Sequence, residues 1–223
     1  MRFSSTRALL ALTAVFAMSA VTASSALAIY PEFKPSTKQK FTSTGGAVKF
    51  ATTAGETLEC TGETSHGEVT GAATVGSVVL TFTGCYTRNV RGEDCSWGTP
   101  GDKTGEFVTN ALKGELGEVA KSEAESGAGL LLEPESGTKI GLMEGPCFEG
   151  TSLEGKVAAE VTPTKTPTKT LKLVFVGKEG RQAIKHITMK ELKKYEPELS
   201  FGDEVLSADF TETLSFEKEL EVT

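Results

Sequence analysis

A chain of 223 residues is long enough for one domain with a real hydrophobic core. Its formal net charge is −7, and no basic stripe interleaved with aromatic residues offsets it, so nucleic-acid binding is excluded and anionic lipid headgroups are repelled. Only two histidines, His66 and His186, are present, which leaves a Cys/His metal centre poorly supplied.

Residues 1–28 set the expected compartment. Arg2 and Arg7 form a short positive region, an apolar run follows from Ala8 to about Ala20, and a Ser/Ala stretch ends in Ala26-Leu27-Ala28. This is the layout of a cleavable signal peptide, and the apolar run falls short of the ~20 residues of a membrane span. The expectation is export with no transmembrane segment after cleavage, to the medium or the cell envelope. Residues 29–40, with Pro31 and Pro35, read as a loose N-terminal arm ahead of a single β-rich domain over 29–223.

Beyond the arm the chain alternates short β-like runs with Gly, Pro, Ser and Thr turns. AVKFAT (47–52) and ETLECT (56–61) are the first candidates, and TSHGEV (64–69) reads as a turn with His66 exposed. In SVVLTFTG, Val78, Leu80 and Phe82 share a face. EFVTNALKGELGEVA (106–120), LLLE (130–133), KIGLM (139–143) and LEGKVAAEVT (153–162) continue the series. VTPTKTPTKT (161–170) carries two prolines and reads as an exposed connection within one domain. TLKLVFVG follows, with Leu171, Leu173 and Phe175 on one face. His186 alternates with Ile184 and is expected to be part-buried in a strand. ITMKELKKYE (187–196) supports a short helix, through Thr188 and Glu191 in a capping-box arrangement, about as well as a strand. From Val205 to Thr223 the chain keeps period two, broken at Glu212 and Lys218, where a bend or a change of partner is expected. Strands at this spacing without helices between them predict an all-β fold, an antiparallel sandwich or barrel with at most one short helix.

The densest chemistry lies in FTGCYTRNVRGEDCSWGTPGDKTGEFVTN (82–110). The four cysteines, Cys60, Cys85, Cys95 and Cys147, are even in number and lack zinc-ligand spacing, so in an exported chain they predict two disulfides. Three connectivities are possible. The expected one joins Cys85 to Cys95, a local clasp around a polar segment, and Cys60 to Cys147, neighbours across a sheet. Tyr86, Arg88, Arg91 and Trp97 surround that clasp and are residue types common at binding hot spots, with Trp97 as a plug of the core the competing reading. Glu93, Asp94, Asp102 and Glu106 lack calcium-loop spacing. No nucleophile elbow, zinc-protease or phosphate-loop motif occurs. No catalytic residue, cofactor or metal is therefore assigned.

LECTGETSHGEVTG, VGSVVLTFTGC and GEFVTNALKGELGEV, in that order with a later Cys, resemble a family of uncharacterised exported, disulfide-containing β-rich proteins of soil actinobacteria. Glu106, Thr109, Asn110, Leu112, Gly114, Glu115, Leu116 and Gly117 carry the match, which extends over Ala47–Cys147. The resemblance implies export and a β-rich fold and brings no activity. The functional expectation is a non-catalytic binding or structural module whose partner is an extracellular protein, a glycan or a small apolar ligand. The alternative is a barrel that carries an apolar ligand in a lumen lined by residues such as Phe82, Leu171 and Phe175. A hydrolase built on a carboxylate pair ranks third.

Overall fold

The computed structural model describes residues 30–88, 92–120 and 126–223, so the N-terminal segment expected to be a signal peptide lies outside the described residues. The strands are β1 (Phe33–Lys34), β2 (Gln39–Gly45), β3 (Val48–Thr52), β4 (Thr57–Cys60), β5 (Gly62–Val69), β6 (Thr74–Thr83) and β7 (Tyr86–Arg88). Then come β8 (Asp94–Ser96), β9 (Glu106–Val108), β10 (Leu112–Ala120), β11 (Ser126–Pro134), β12 (Lys139–Gly145), β13 (Phe148–Gly155) and β14 (Val157–Thr162). The last are β15 (Thr168–Phe175), β16 (Gly177–Lys178), β17 (Arg181–Gln182), β18 (Ile187–Thr188), β19 (Lys194–Tyr195), β20 (Leu199–Phe201) and β21 (Glu204–Val222). The fold is all-β and antiparallel.

Eight strands close a barrel in the order β2-β5-β6-β10-β11-β14-β15-β21, with β21 returning to β2. A second sheet runs β12-β13-β20-β21-β3-β4-β7-β8. Its two edges meet in an isolated bridge between Gly98 and Glu144, so it too curls into a ring. β21 belongs to both rings, pairing with β3 as far as Asp209 and with β2 from Glu212 onward. Glu212 is thus where β21 changes partner, and Lys218 lies in a bulge where one residue of β15, Lys169, opposes four of β21, 216–219. Both breaks in the alternation mark real discontinuities.

Inward-facing residues of the two rings form one continuous core. Where the rings join, Phe175 stacks on Phe210 at 4.1 Å, Phe210 meets Phe82, and Phe82 stacks on Phe107. Of the residues expected to line a lumen, Phe82 and Phe175 therefore touch other aromatic side chains instead, and Leu171 is buried in the same core. Phe107 and Phe50 flank Trp97 on the side of the second ring. A smaller cluster, Val119, Leu131, Ala158, Ile187 and Met189, sits outside the first barrel. It exists because the segment from β18 to β19 straps across β10, with Val119 paired to Ile187.

Two local expectations change, and one left open between helix and strand is resolved. The N-terminal arm is not loose, because Phe33 is buried, β1 pairs with the end of β21, and β2 already begins at Gln39. The 187–195 segment holds a single 3-10 turn, Lys190–Leu192, between two short strands, and no side chain caps it. TSHGEV is the greater part of β5, through to its last residue, rather than a turn. VTPTKTPTKT is, as expected, a connection between neighbouring strands, β14 and β15.

Candidate functional site

The disulfides decide the local geometry, and they differ from expectation. Cys60 bonds Cys85, and Cys95 bonds Cys147. The reason is register. β7 pairs with β4 so that Tyr86 lies opposite Glu59, which sets Cys85 directly opposite Cys60. In the β7–β8 hairpin Cys95 faces Thr87, and Cys85 faces Trp97, whose N–H donates to the Cys85 carbonyl at 3.2 Å. The two cysteines proposed as a clasp are thus two residues out of register. The Cys95–Cys147 bridge and the Gly98–Glu144 pair together hold the seam of the second ring. Disulfides fit an oxidising compartment.

The same register scatters the expected binding set. Trp97 is 1% exposed and belongs to the core, so it is withdrawn from any surface site. Gly98 and Gly145 make room for the segment, since a Cβ on Gly145 would sit 2.9 Å from the Trp97 Cβ. Tyr86 donates its hydroxyl to Glu59 Oε2 at 2.7 Å, which pushes its ionisation upward. Arg88 is exposed and donates through Nε to Asp94 Oδ1 at 3.3 Å. Arg91 lies outside the described residues. His66 is exposed on β5; His186 is also exposed, not part-buried, because the strap turns Ile187 inward in its place. Among the described residues no three His, Cys, Asp or Glu side chains converge as a metal site, and no helix is long and apolar enough to cross a membrane.

What the fold does assemble is a pocket at the open end of the second ring. The β3–β4, β12–β13 and β20–β21 connections and the end of β7 surround a hollow of about 530 Å³. Its walls include Leu58, Phe148 and Phe201, with Thr57, Glu56 and Arg88 at the rim. Phe148 and Phe201 meet edge to face at 5.5 Å and are both half-buried, so they present ring surface to the hollow. Barrel mouths of this size, apolar within and sparsely polar at the edge, are common ligand sites. Of the four residues expected from sequence, Arg88 reaches this pocket; Phe148 and Phe201 carry no local signal, because strand ends 53 residues apart in sequence bring them together.

A second feature escaped sequence reasoning. Gly45 on β2 lies opposite Glu63 on one side and Glu212 on the other. The two carboxyl groups approach each other over that glycine, where an added Cβ would be 2.6 Å from Glu63 Oε2. The hydroxyls of Ser43 and Ser65 are 2.7 Å apart and lie 2.6 and 2.9 Å from Glu212 Oε2. Burial, and then the charge of Glu212, pushes the Glu63 carboxyl up to about 9; burial raises Glu212 as well, against the hydrogen bonds from the serines. This is a carboxylate pair of the kind a hydrolase needs, yet each member is 2% exposed. It stores a proton inside the barrel wall and meets no solvent.

Comparison of the chain with protein-family models, with curated proteins and with solved structures finds no match. The GEFVTNALKGELGEV segment, which carries the resemblance stated above, has structural work in this molecule. Thr109 exchanges hydrogen bonds with the backbone of Leu80, and Asn110 bonds the backbone of Lys139 and Ile140. Gly114 lies under Leu132 and Val75, where a Cβ would come within 2.7 and 2.9 Å, and Gly117 under Ile187 and Met189, where it would come within 2.7 Å of both. These residues register the barrel and seat its strap.

Proposed function

We propose that this chain is an exported, non-catalytic β-domain, extracellular or envelope-associated, that binds a partner through the mouth of its second ring. The observation that carries the reading is the pocket where Phe148 and Phe201 offer ring surface beside Arg88 and Glu56. Pairs of rings with a charged edge suit an apolar or aromatic group on a protein, glycan or small molecule. A carrier with an internal lumen is less well supported, since Phe82 and Phe175 are already in contact with Phe107 and Phe210. An apolar ligand would be held at the mouth. Export is inferred from Arg2, Arg7 and Ala26-Leu27-Ala28, with the disulfides in support.

The test is native mass spectrometry of the protein recovered from its host's medium, followed by the same measurement on a Phe148→Ser/Phe201→Ser variant. The expected result is a mature chain beginning at Ile29 with a retained partner that the variant loses. A retained partner that the variant keeps sinks the mouth reading, and a chain that stays inside the cell uncleaved sinks export.

A further inference from the structure

The mouth of the second ring is negatively charged as well as aromatic. The chain borders it at residues 53–56, 146–149 and 202–204, which contain no lysine or arginine but supply Glu56, Glu149, Asp203 and Glu204. All four are exposed, and none takes part in an ion pair among the described residues. Glu56 lines the hollow itself. Glu204 pairs with Phe201 across the β20–β21 hairpin, so the two side chains leave the sheet on one face as direct neighbours. Among the described residues the one cation in the wall is Arg88, and Asp94 holds its Nε at 3.3 Å.

The rings favour the same sign of ligand charge. Phe148 and Phe201 stand at 89° to each other and are both half-buried, so they form an aromatic corner with ring surface left uncovered. The face of an aromatic ring is negative, and it attracts a cation more strongly where water is partly excluded. An anion would meet both that face and the unpaired acids. A neutral apolar group would gain nothing from the acids. A bare metal ion is not served either, since no three carboxylates converge among the described residues and phenyl rings are not its ligands. A hollow of about 530 Å³ is the size of a small-molecule site.

We infer that the mouth takes a small organic cation, an ammonium group on an apolar body, held against Phe148 and Phe201 and among the carboxylates of Glu56, Asp203 and Glu204. This rests on the mouth reading above and assigns the charge of its ligand. The probe is benzyltrimethylammonium, titrated calorimetrically into the oxidised protein, with benzyl alcohol and benzoate as neutral and anionic comparisons. The cation should bind saturably, one per chain and roughly ten-fold tighter than benzyl alcohol, and benzoate should not bind. Phe201→Leu keeps an apolar side chain but removes the ring, and should weaken the cation roughly five- to thirty-fold. Glu56→Gln/Glu204→Gln, both on the surface, should weaken the cation roughly three- to ten-fold and leave benzyl alcohol unchanged. Equal affinity for the cation and benzyl alcohol, with both lost in Phe148→Ser/Phe201→Ser, would overturn the charge assignment and leave the mouth reading standing. No saturable binding of the cation, or unchanged affinity for it in Phe201→Leu, would overturn the assignment as well. A trilysine peptide that binds more tightly than the small cation would overturn the small-molecule source in favour of a basic protein segment.

Discussion

Glu63 shows how a single buried group can shape the behaviour of the whole chain. Its carboxyl is raised from an ordinary 4.5 to about 9, so the folded protein holds a proton that the unfolded chain releases. The stabilisation that accompanies this proton is fully present below about pH 4.5 and is lost as the pH rises towards 9. Glu63→Gln keeps the shape and removes the titration. Unfolding by urea at pH 5 and at pH 9 should therefore show a smaller loss of stability in the variant than in the parent. Equal losses would mean that other groups set the alkaline limit. Gly45→Ala should destabilise by about 1–3 kcal/mol, because its methyl would sit 2.6 Å from Glu63 Oε2 and 2.9 Å from the Thr211 carbonyl. Thermal unfolding measures it directly. Half of this cluster was legible beforehand: Glu212 breaks the alternation of the last strand, but nothing in GETSHGEV distinguishes Glu63 from the exposed acids around it.

At the scale of elements, register governs. Which cysteines pair followed from β4 meeting β7 with Glu59 opposite Tyr86, a contact between separate hairpins that sequence distance does not encode. Loops of 25 and 52 residues correspond to roughly 3.5 and 4 kcal/mol of reduced denatured-state entropy. Cys95→Ser/Cys147→Ser should cost about the latter, and should also loosen the mouth, because that bridge spans the seam of the second ring. Hydrogen exchange on the mutant should show faster exchange in β8 and β12 than in β10 and β11; uniform acceleration would argue against a local seam. The strap offers a complementary test. Gly117→Val would displace Ile187 and Met189, so proteolysis should cut between β17 and β20 while the barrel stays intact. The alternating strands themselves were readable from period two, and the exceptions were instructive. β5 was missed because its small and polar inward residues, Ser65 and Gly67, hide the alternation.

For the whole molecule, the shared strand is the central fact. β21 runs through both rings, and the aromatic cluster around Phe82 and Phe210 bridges their junction. Two rings that share a strand and a core have no boundary at which one could unfold alone. Calorimetry, tryptophan fluorescence and far-ultraviolet circular dichroism should report one coincident transition, and the buried Trp97 should emit as an apolar-site indole until that point. Two separated transitions would show that the rings are independent.

By itself the sequence determined the all-β class, the cysteines as disulfides, and the two discontinuities of the last strand at Glu212 and Lys218. These follow from alternation and composition, which act between residues close along the chain. Only the tertiary structure decided the closure into two rings, the Cys60–Cys85 and Cys95–Cys147 pairing, the burial of Trp97, and the meeting of Phe148 with Phe201. Each depends on which strand edges find one another and in what register. That choice is made by the packing of the common core, and no local stretch of the chain carries it.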